Sequence, residues 1–460
     1  MKVDVVVIGS GAGGAAVAGE LARAGREVLV VEAGPVRFGA PGLHARNLDT
    51  SEAALPAFGR RILQEWVFPA NASAPLDGLP GMAISHGVGG MFGIWCSNCP
   101  RPDRSELPAW MPASVWDTYL TRAEGVMHIH RDIAEGGVRA SRIQAATARA
   151  VGRLEAGREV QPMPIAVRRV NGGLKYTGSD DLLAVGEGQT APRLLADHIV
   201  RRIEHRDGRA SAIVAVPRQG GAELRIEAGT VVIAAGTLAS AQLVQASGLD
   251  AGPALGRYLL DHPIVSTRVL LKPEILADVP AGDPLFSVWV PHSASHPWQN
   301  EVFRFPQDPP AGTRDEDGAD VTTFVSMDLN PDNRLVFDAS AVDNFGLPKV
   351  KVALTHSEAD HRRIADATAE NYLISAAVAD LSHGWNPVMY KPGGSAHLMG
   401  SCRMGPKDDG ESVVNQSGRL WRSDNVYVAG NAVLGTPSGA NPTLTTVAAA
   451  LMTADAILGR

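Results

Sequence analysis

The chain has 460 residues, of which 45% are hydrophobic and 20% charged, as in a globular protein with a substantial core. A formal charge of −7 argues against nucleic acid or an anionic membrane as partners, no apolar run approaches membrane-spanning length, and three cysteines are too few for a disulfide framework. Because the first predicted strand begins almost at Met1 and leaves no room for a signal peptide, we expect a cytoplasmic protein.

The first predicted elements form a strand–helix–strand unit. Val3–Ile8 is a short apolar run rich in β-branched residues, typical of a buried parallel strand. A helix of small residues follows from about Ala12 to Ala24, with Gly25 where a helix-ending glycine belongs. Glu27–Val31 is the second predicted strand.

Glycines in G-x-G-x-x-G spacing join this strand to this helix. Gly9 allows the tight turn, Gly11 lets the backbone approach a pyrophosphate, and Gly14 lets helix and strand pack closely. The helix amino terminus offers unpaired N–H groups to phosphates, and Glu32 can accept hydrogen bonds from ribose hydroxyls. The spacing alone is weak evidence in a chain with 49 glycines, but its context predicts a dinucleotide site. It does not separate NAD from FAD.

Two loop-rich insertions are predicted next, at about 37–81 and 100–175. The first contains a possible short helix at Arg60–Trp66. The second is expected to be helical over 112–152 and strand-like over 160–176.

A strand pair and another strand–helix unit follow. His198–Ile203 and Ala212–Val216 are predicted to pair through a turn at Asp207-Gly208. Thr230–Ala234 is an all-apolar strand, and a helix is predicted to follow it to about Ala246.

Beyond residue 262 the strands alternate apolar and polar residues, which is typical of an antiparallel sheet with one covered face. A helix capped by Ser357 and Asp360 is predicted to run to about Leu381. The alternating strands are Ser266–Leu271, Phe286–Val290, Asp320–Leu329, Arg334–Phe337 and Lys349–Leu354. We therefore predict a second domain at 263–394, inserted into a nucleotide-binding domain of residues 1–262 and 395–460. Val426–Ala429 and a closing helix at Thr443–Leu458 belong to the latter.

Four clusters of small residues are spread along the chain. They are Gly9–Gly14, Gly87–Gly93, Ala235–Ser240, and Gly430-Asn431 together with Gly439–Thr443. Each alone is compatible with a turn. Together they predict one extended cofactor, longer than a nicotinamide site needs, that is approached by backbone from several segments.

Several of these segments resemble the glucose–methanol–choline (GMC) oxidoreductases, which bind FAD and oxidise alcohols. The similar segments are Met1–Gly34, Gly87–Trp95, Thr230–Ser240, Gly256–Pro263, His397–Gly405 and Val426–Thr445. Within the family, Val88–Trp95 and Gly430–Thr445 are most similar to pyranose oxidases and to bacterial sugar and aminoglycoside oxidases. The resemblance implies an α/β fold, with a Rossmann-type FAD-binding domain and a mainly antiparallel substrate-binding domain.

The resemblance also implies the residues that contact FAD. They are Gly9, Gly11, Ala12, Gly14, Glu32, Ala33, Val88, Gly89, Gly90, Met91, Ile94, Trp95, Val200, Ala235, Gly236, Asn431, Pro442 and Thr443. Some pyranose oxidases carry a flavin-linking histidine directly before the tryptophan of this segment, whereas this chain has Ile94 there. Non-covalent FAD is therefore expected. Pro442 is expected at the first position of the last helix, whose positive end would face the flavin.

His397 and Asn441 are the expected catalytic pair, because the family places a histidine and an Asn or His partner at these motifs. Hydride can leave the carbinol carbon for flavin N5 only as the hydroxyl proton is removed, and a histidine of ordinary pKa near 6.5 can accept that proton. Asn441 would orient the same oxygen.

The expected function is oxidation of a CH–OH group of a sugar, glycoside or aminoglycoside, with oxygen, a quinone or another carrier as electron acceptor. Alternatives are a GMC-type lyase, oxidation of a non-sugar alcohol, and a non-catalytic flavin-binding module. No metal site is predicted. Cys96 and Cys99 are expected to be structural, and the acidic stretch Asp315–Asp317 with Asp320 is expected to be a solvated loop unless it borders the pocket and attracts an aminosugar.

Overall fold

The structure, a computed structural model, describes residues 1–37, 39–47, 68–69, 76–152, 156–284, 286–304 and 317–460. The predicted short helix at Arg60–Trp66 and the acidic residues Asp315 and Glu316 lie outside these residues.

The described strands, in chain order, are β1 (Lys2–Ile8), β2 (Val28–Val31), β3 (Phe68–Pro69), β4 (Ala83–Ile84), β5 (Ile129–His130), β6 (Gln161–Pro162), β7 (Ile165–Val170), β8 (Gly173–Tyr176), β9 (Arg193–Leu195), β10 (His198–Arg206), β11 (Arg209–Pro217), β12 (Leu224–Ile233), β13 (Ile264–Leu270), β14 (Ser287–Val290), β15 (Trp298–Phe303), β16 (Gly318–Val325), β17 (Arg334–Val342), β18 (Pro348–Ala353), β19 (Val388–Met389) and β20 (Val426–Val428). The described α-helices are α1 (Ala12–Arg23), α2 (Ala113–Val126), α3 (Val138–Val151), α4 (Ser179–Leu183), α5 (Gly236–Ala246), α6 (Pro273–Leu276), α7 (Glu358–Val378) and α8 (Thr443–Leu458).

A seven-stranded sheet holds the amino-terminal unit. Its order is β10-β11-β12-β1-β2-β9, and β20 pairs with β12. β1 lies parallel to β2 and β12, and β20 lies parallel to β12. Where these strands pair, Val5–Ile8, Val28–Val31 and Val231–Ile233 are apolar and buried on both faces, so the Rossmann-type architecture predicted from the sequence is confirmed.

Helices α1 and α8 bring the two ends of the chain together. Helix α8 packs against α1 and α2, and most of its residues are buried. Helix α1 ends at Arg23 and Gly25 has a φ of +82°, as the predicted helix-ending glycine requires. The elements that carry the first and last glycine clusters are therefore in direct contact.

The predicted hairpin between β10 and β11 is also confirmed. The two strands pair antiparallel and are longer than predicted. Their turn has Asp207 at φ +49° and Gly208 at φ +76°, the left-handed pair that a two-residue hairpin favours.

A second, six-stranded sheet is antiparallel. Its order is β19-β13-β16-β15-β14-β6, and a separate core lies between this sheet and helices α3 and α7. Helix α7 begins with the predicted capping box: the Ser357 hydroxyl accepts from the Asp360 N–H at 3.0 Å, and the Asp360 carboxylate accepts from the Ser357 N–H at 2.8 Å. Because β6 lies at Gln161–Pro162, this sheet also recruits a strand from outside the predicted second domain. The domain boundaries stay a prediction.

Three sequence-based predictions are wrong in detail. The stretch 112–152 is not one helix, because α2 ends at Val126, His128 takes a left-handed φ of +53°, and β5 pairs with β7 before α3 starts. Strand β15 was not predicted, since its polar run Gln299–Glu301 breaks the expected alternation. Strands β17 and β18 form their own hairpin outside the six-stranded sheet, and β16 is buried on both faces, whereas the sequence predicts one covered face.

The described residues include neither a membrane-spanning helix nor a cluster of side chains that could bind a metal ion. No helix there is both long enough and apolar enough to cross a membrane. No group of three or more His, Cys, Asp or Glu side chains there is arranged to hold a metal ion.

Candidate active site

Close backbone contacts require glycine at two positions of the first motif. Gly9 has a φ of +102°, and a Cβ on it would lie 2.3 Å from the carbonyl oxygen of Ala234. A Cβ on Gly14 would lie 2.0 Å from the Gly9 oxygen. Both glycines therefore have the tight-turn and close-packing roles predicted for them.

The predicted small-residue clusters meet at this turn. A Cβ on Gly13 would lie 2.8 Å from Gly430, so helix α1 touches the last cluster. A Cβ on Gly34 would lie 2.4 Å from the Gly87 nitrogen, which brings in the second cluster. Segments hundreds of residues apart thus share one edge of the sheet, at the carboxyl ends of its parallel strands.

Open space remains between these segments where a dinucleotide would approach backbone. A Cβ on Gly11 would meet only the Gly89 oxygen, at 3.9 Å, and a Cβ on Gly430 would meet nothing within 4 Å. Gly11 caps helix α1 without a side-chain hydrogen bond, so the first N–H groups of the helix are left for an anion. This cradle, which a side chain would fill, fits an extended cofactor such as FAD.

Glu32 is buried and already strongly hydrogen-bonded. One carboxylate oxygen accepts from the Ser10 N–H at 3.0 Å and the Ser10 hydroxyl at 2.7 Å, and the other accepts from the Gly34 N–H at 3.0 Å. Burial raises the pKa of Glu32 in spite of these hydrogen bonds. Ser10 also accepts from the Gly89 N–H at 2.9 Å, which ties the first two glycine clusters together. Glu32 therefore organises the turn, and its contact with the ribose of the cofactor stays a prediction.

Most other predicted cofactor residues are buried or half-buried. These are Ala12, Ala33, Val88, Gly90, Met91, Ile94, Trp95, Val200, Ala235, Asn431, Pro442 and Thr443. Gly236 is exposed. Pro442 is the residue before the first helical position of α8 rather than that position itself, and it makes no side-chain cap. Their contacts with FAD stay predictions.

His397 is half-buried between another imidazole and an aromatic ring. Its Nδ1 is 2.9 Å from Nδ1 of His262, and its ring stacks on Phe324 with centroids 5.3 Å apart. Burial lowers the pKa of His397 to about 4, so the ordinary value near 6.5 expected from the sequence is wrong. The imidazole is consequently neutral at pH 7 and able to accept a proton.

One loop contact orients both histidines. The Ser395 hydroxyl accepts from the His397 N–H at 2.8 Å and donates to the carboxylate of Asp261, the residue before His262. Leu260 and Met399 exchange two backbone hydrogen bonds, of 3.1 and 2.9 Å. The Asp261–Pro263 and His397 segments are thereby held together as one unit.

Asn441 is hydrogen-bonded to the six-stranded antiparallel sheet. Its Oδ1 accepts from Nε2 of Gln299 at 2.7 Å. Gln299 lies directly across the β15–β16 ladder from Phe324, the ring that stacks on His397. Because cross-strand partners are neighbours on one face, the side chains that contact Asn441 and His397 lie next to each other on the same face of the sheet.

A buried carboxyl lies behind Asn441. Glu301 accepts from Nδ2 of Asn98 at 2.6 Å and from Nε2 of Gln299 at 3.1 Å. Burial raises the pKa of Glu301 to about 8, although hydrogen bonds from Asn98 and Asn441 lower it.

A second carboxyl fixes the backbone before Asn441. Glu106 accepts from the N–H groups of Gly439 and Ala440, both at 2.8 Å, and from the Ser438 hydroxyl at 3.0 Å. His292 Nδ1 lies 3.7 Å from the other Glu106 oxygen.

Sequence reasoning missed five residues that shape this site: His262, Gln299, Glu301, Phe324 and Glu106. His262 was within a motif that resembles the family but was given no role. The run Gln299–Glu301 could have been noticed as polar residues inside an apolar segment, because buried polar groups need partners.

The cysteine thiols are uncharged, and Asp320, expected in a solvated loop, is instead buried in strand β16. Burial raises the pKa of Cys96 to about 11 and that of Cys402 to about 12, so both thiols are protonated at neutral pH. Burial also raises the pKa of Cys99 well above its ordinary value. Asp320 forms a two-pronged ion pair with Arg268, at 2.9–3.1 Å, which neutralises its charge.

Comparisons with known families agree with this arrangement. The GMC oxidoreductase family matches residues 81–264 with its amino-terminal part and residues 331–450 with its carboxyl-terminal part. An FAD binding domain matches residues 4–46, which hold the first glycine motif and Glu32.

Similar proteins extend over nearly the whole chain. A C-glycoside 3-oxidase of Microbacterium trichothecenolyticum is 31% identical, over 98% of this chain and 95% of the relative. A pyranose 2-oxidase of Tricholoma matsutake is 26% identical, over 90% of this chain and 78% of the relative. Among solved structures, pyridoxine 4-oxidase from Mesorbium loti shares the fold with a TM-score of 0.68 and 21% identity, covering 100% of this chain and 99% of that chain.

Proposed function

This chain belongs to the GMC oxidoreductase family, and on that premise we propose that it oxidises a CH–OH group of a sugar or glycoside with non-covalently bound FAD. The observation that carries the proposal is the half-buried His397, held by His262, on the face of the sheet where Gln299 holds Asn441. The names of the C-glycoside and pyranose oxidases support a carbohydrate substrate.

When bound, FAD supplies the acceptor for the hydride of the carbinol carbon. The residues of the chain accept the hydroxyl proton of the substrate. Nδ1 of His397 is engaged with His262, so Nε2 is the nitrogen left to meet a substrate hydroxyl. For Nε2 to accept a proton, His397 must carry its hydrogen on Nδ1 and donate it to His262. In that tautomer His262 accepts through its own Nδ1, at 2.9 Å.

Asn441 supports the same oxygen. Its amide is fixed from behind by Gln299, and its backbone is fixed by the hydrogen bonds of Glu106 to the two preceding residues. A substrate oxygen placed between Nε2 of His397 and Asn441 would be deprotonated by the first and oriented by the second.

The charge of Asp320 is paired with that of Arg268, so this carboxylate gives no separate support for a cationic aminosugar. Sugars, glycosides and aminoglycosides all stay within the proposed substrate class. We propose oxygen or a quinone-type carrier as the electron acceptor. The cytoplasmic location stays a prediction.

An anaerobic screen tests this function. The FAD-loaded protein is mixed with sugars, O- and C-glycosides, aminoglycosides and simple alcohols, and flavin absorbance is followed. Bleaching by a sugar or glycoside, with the keto or aldehyde product found by mass spectrometry, is the expected result. Substrate cleavage without net flavin reduction would show a lyase, and bleaching by none of the compounds would contradict the proposal. Oxygen or a quinone is added afterwards to identify the electron acceptor.

A further inference from the structure

We propose that Gln299, locked by Trp289, determines which end of the Asn441 side-chain amide faces the substrate. The inference rests on the proposed function, since it concerns the oxygen that His397 deprotonates. It assigns Gln299 as a positioning residue, because its side chain is buried and acts through Asn441.

The orientation of the Gln299 amide is set by the tryptophan. Nε1 of Trp289 lies 2.8 Å from Oε1 of Gln299. An indole N–H can only donate, so the atom of Gln299 that meets it must be the oxygen. The reversed amide would place two donors against each other in a buried site.

The Nε2 end of the Gln299 amide then has both of its hydrogens in hydrogen bonds. Its Nε2 carries two hydrogens, and the structure gives it two acceptors: Oδ1 of Asn441 at 2.7 Å and a carboxyl oxygen of Glu301 at 3.1 Å. Since both donors are used, Gln299 has none left for a substrate.

The orientation of the Gln299 amide fixes the orientation of the Asn441 amide. Its Oδ1 is occupied by Gln299, so its Nδ2 is the end left for other partners. Nδ2 has two hydrogens, and the Asn441 side chain hydrogen-bonds Glu301. One N–H of Asn441 therefore remains for the reacting oxygen.

A donor at this position has a chemical consequence. A hydroxyl that loses its proton to His397 develops negative charge on oxygen, which an N–H stabilises and a carbonyl oxygen would repel. The chain Trp289–Gln299–Asn441 thus makes Asn441 a donor in advance of the reaction.

Substitutions at Gln299 separate orientation from packing. Gln299→Glu keeps an acceptor for Trp289. At a pH high enough to ionise the introduced carboxyl it offers no hydrogen to Asn441, so the Asn441 amide should then reverse and present its oxygen to the substrate. Gln299→Met is near-isosteric, and it leaves Asn441 free in either orientation. We expect anaerobic flavin reduction to slow about 10- to 100-fold in Gln299→Glu, as after loss of a hydrogen bond to a charged oxygen, and less in Gln299→Met.

The double variant Gln299→Glu/Asn441→Ala is the decisive control. If Gln299 acts through Asn441, the double variant should reduce its flavin no more slowly than Asn441→Ala alone. The rate constant at saturating substrate should fall while the apparent substrate affinity changes little. Wild-type rates in both Gln299 variants, or a full additional loss in the double variant, would overturn the proposal.

A spectroscopic readout is independent of turnover. In protein labelled with ¹⁵N-tryptophan, the Trp289 indole resonance is assigned by its loss in Trp289→Phe. It should keep its hydrogen-bonded shift in Gln299→Glu and lose it in Gln299→Met. An unchanged indole shift in Gln299→Met would refute the Trp289 contact even if no substrate were found. Failure of every compound to bleach the wild-type flavin would instead count against the proposed function.

Discussion

At the scale of single residues, the surroundings of Glu301 determine its charge. Its carboxyl is buried, and burial raises its pKa from 4.5 to about 8. A folded state that holds this proton more tightly than the unfolded chain is stabilised at low pH. Its contribution is complete below about pH 4.5 and is lost progressively as the pH rises to about 8.

Glu301→Gln should remove this pH dependence, because the amide does not titrate. We expect the unfolding temperature of wild type, relative to the variant, to fall between pH 5 and 8. Thermal unfolding of the FAD-loaded proteins over this range measures it, with the exposed carboxyl variant Glu135→Gln as a control. A wild-type-minus-variant difference that does not vary with pH would show that Glu301 is ionised in the folded protein.

The sequence predicted residues of this site unevenly. His397 and Asn441 were predicted because motifs that resemble a family carry them. Gln299 and Glu301 were not, since their importance depends on partners from Trp289, Asn98 and Asn441, which the chain brings close only by folding. The lowered pKa of His397 could not be predicted either, because it follows from burial.

At the scale of elements, the glycine turn between β1 and α1 separates folding from cofactor binding. A side chain on Gly9 would collide with the Ala234 carbonyl, whereas one on Gly11 would reach only into the open cradle.

The variants Gly9→Ala and Gly11→Ala should therefore behave differently. Gly9→Ala should lower stability and soluble yield, because its φ of +102° and the 2.3 Å approach both oppose a side chain. Gly11→Ala should fold normally but bind FAD more weakly. Circular dichroism and FAD titration of the apoproteins measure the two effects. Normal FAD affinity in Gly11→Ala would show that the cofactor does not approach this backbone.

Sequence patterns predicted elements well where periodicity was uninterrupted. The closing helix was predicted with its observed bounds, Thr443–Leu458, because its residues are uniformly favourable to a buried helix. The break between α2 and α3 was missed, since it depends on the left-handed His128 and on pairing of β5 with β7. Strand β15 was missed because its polar residues satisfy one another inside the protein.

At the scale of the whole molecule, the cofactor cradle joins distant parts of the chain. Helix α1, the Gly87–Gly93 segment and the segment at Gly430 all border it. Ile94 stands where some pyranose oxidases have a flavin-linking histidine, and an alkyl side chain cannot form such a bond.

Acid precipitation of the yellow protein should consequently release intact FAD into the supernatant. Absorbance and mass spectrometry of supernatant and pellet measure this directly. Flavin that stays with the pellet after denaturation would contradict non-covalent binding.

The most direct test of the account is anaerobic stopped-flow reduction of the flavin in wild type, His397→Ala, Asn441→Ala and the double variant. His397→Ala should slow reduction about 10²–10⁴-fold, as for loss of a positioned base, with FAD content near that of wild type. Asn441→Ala should slow it less, and the double variant should be little worse than His397→Ala, because both residues address one oxygen. Near-wild-type reduction in His397→Ala would contradict the central claim that this histidine takes the substrate proton.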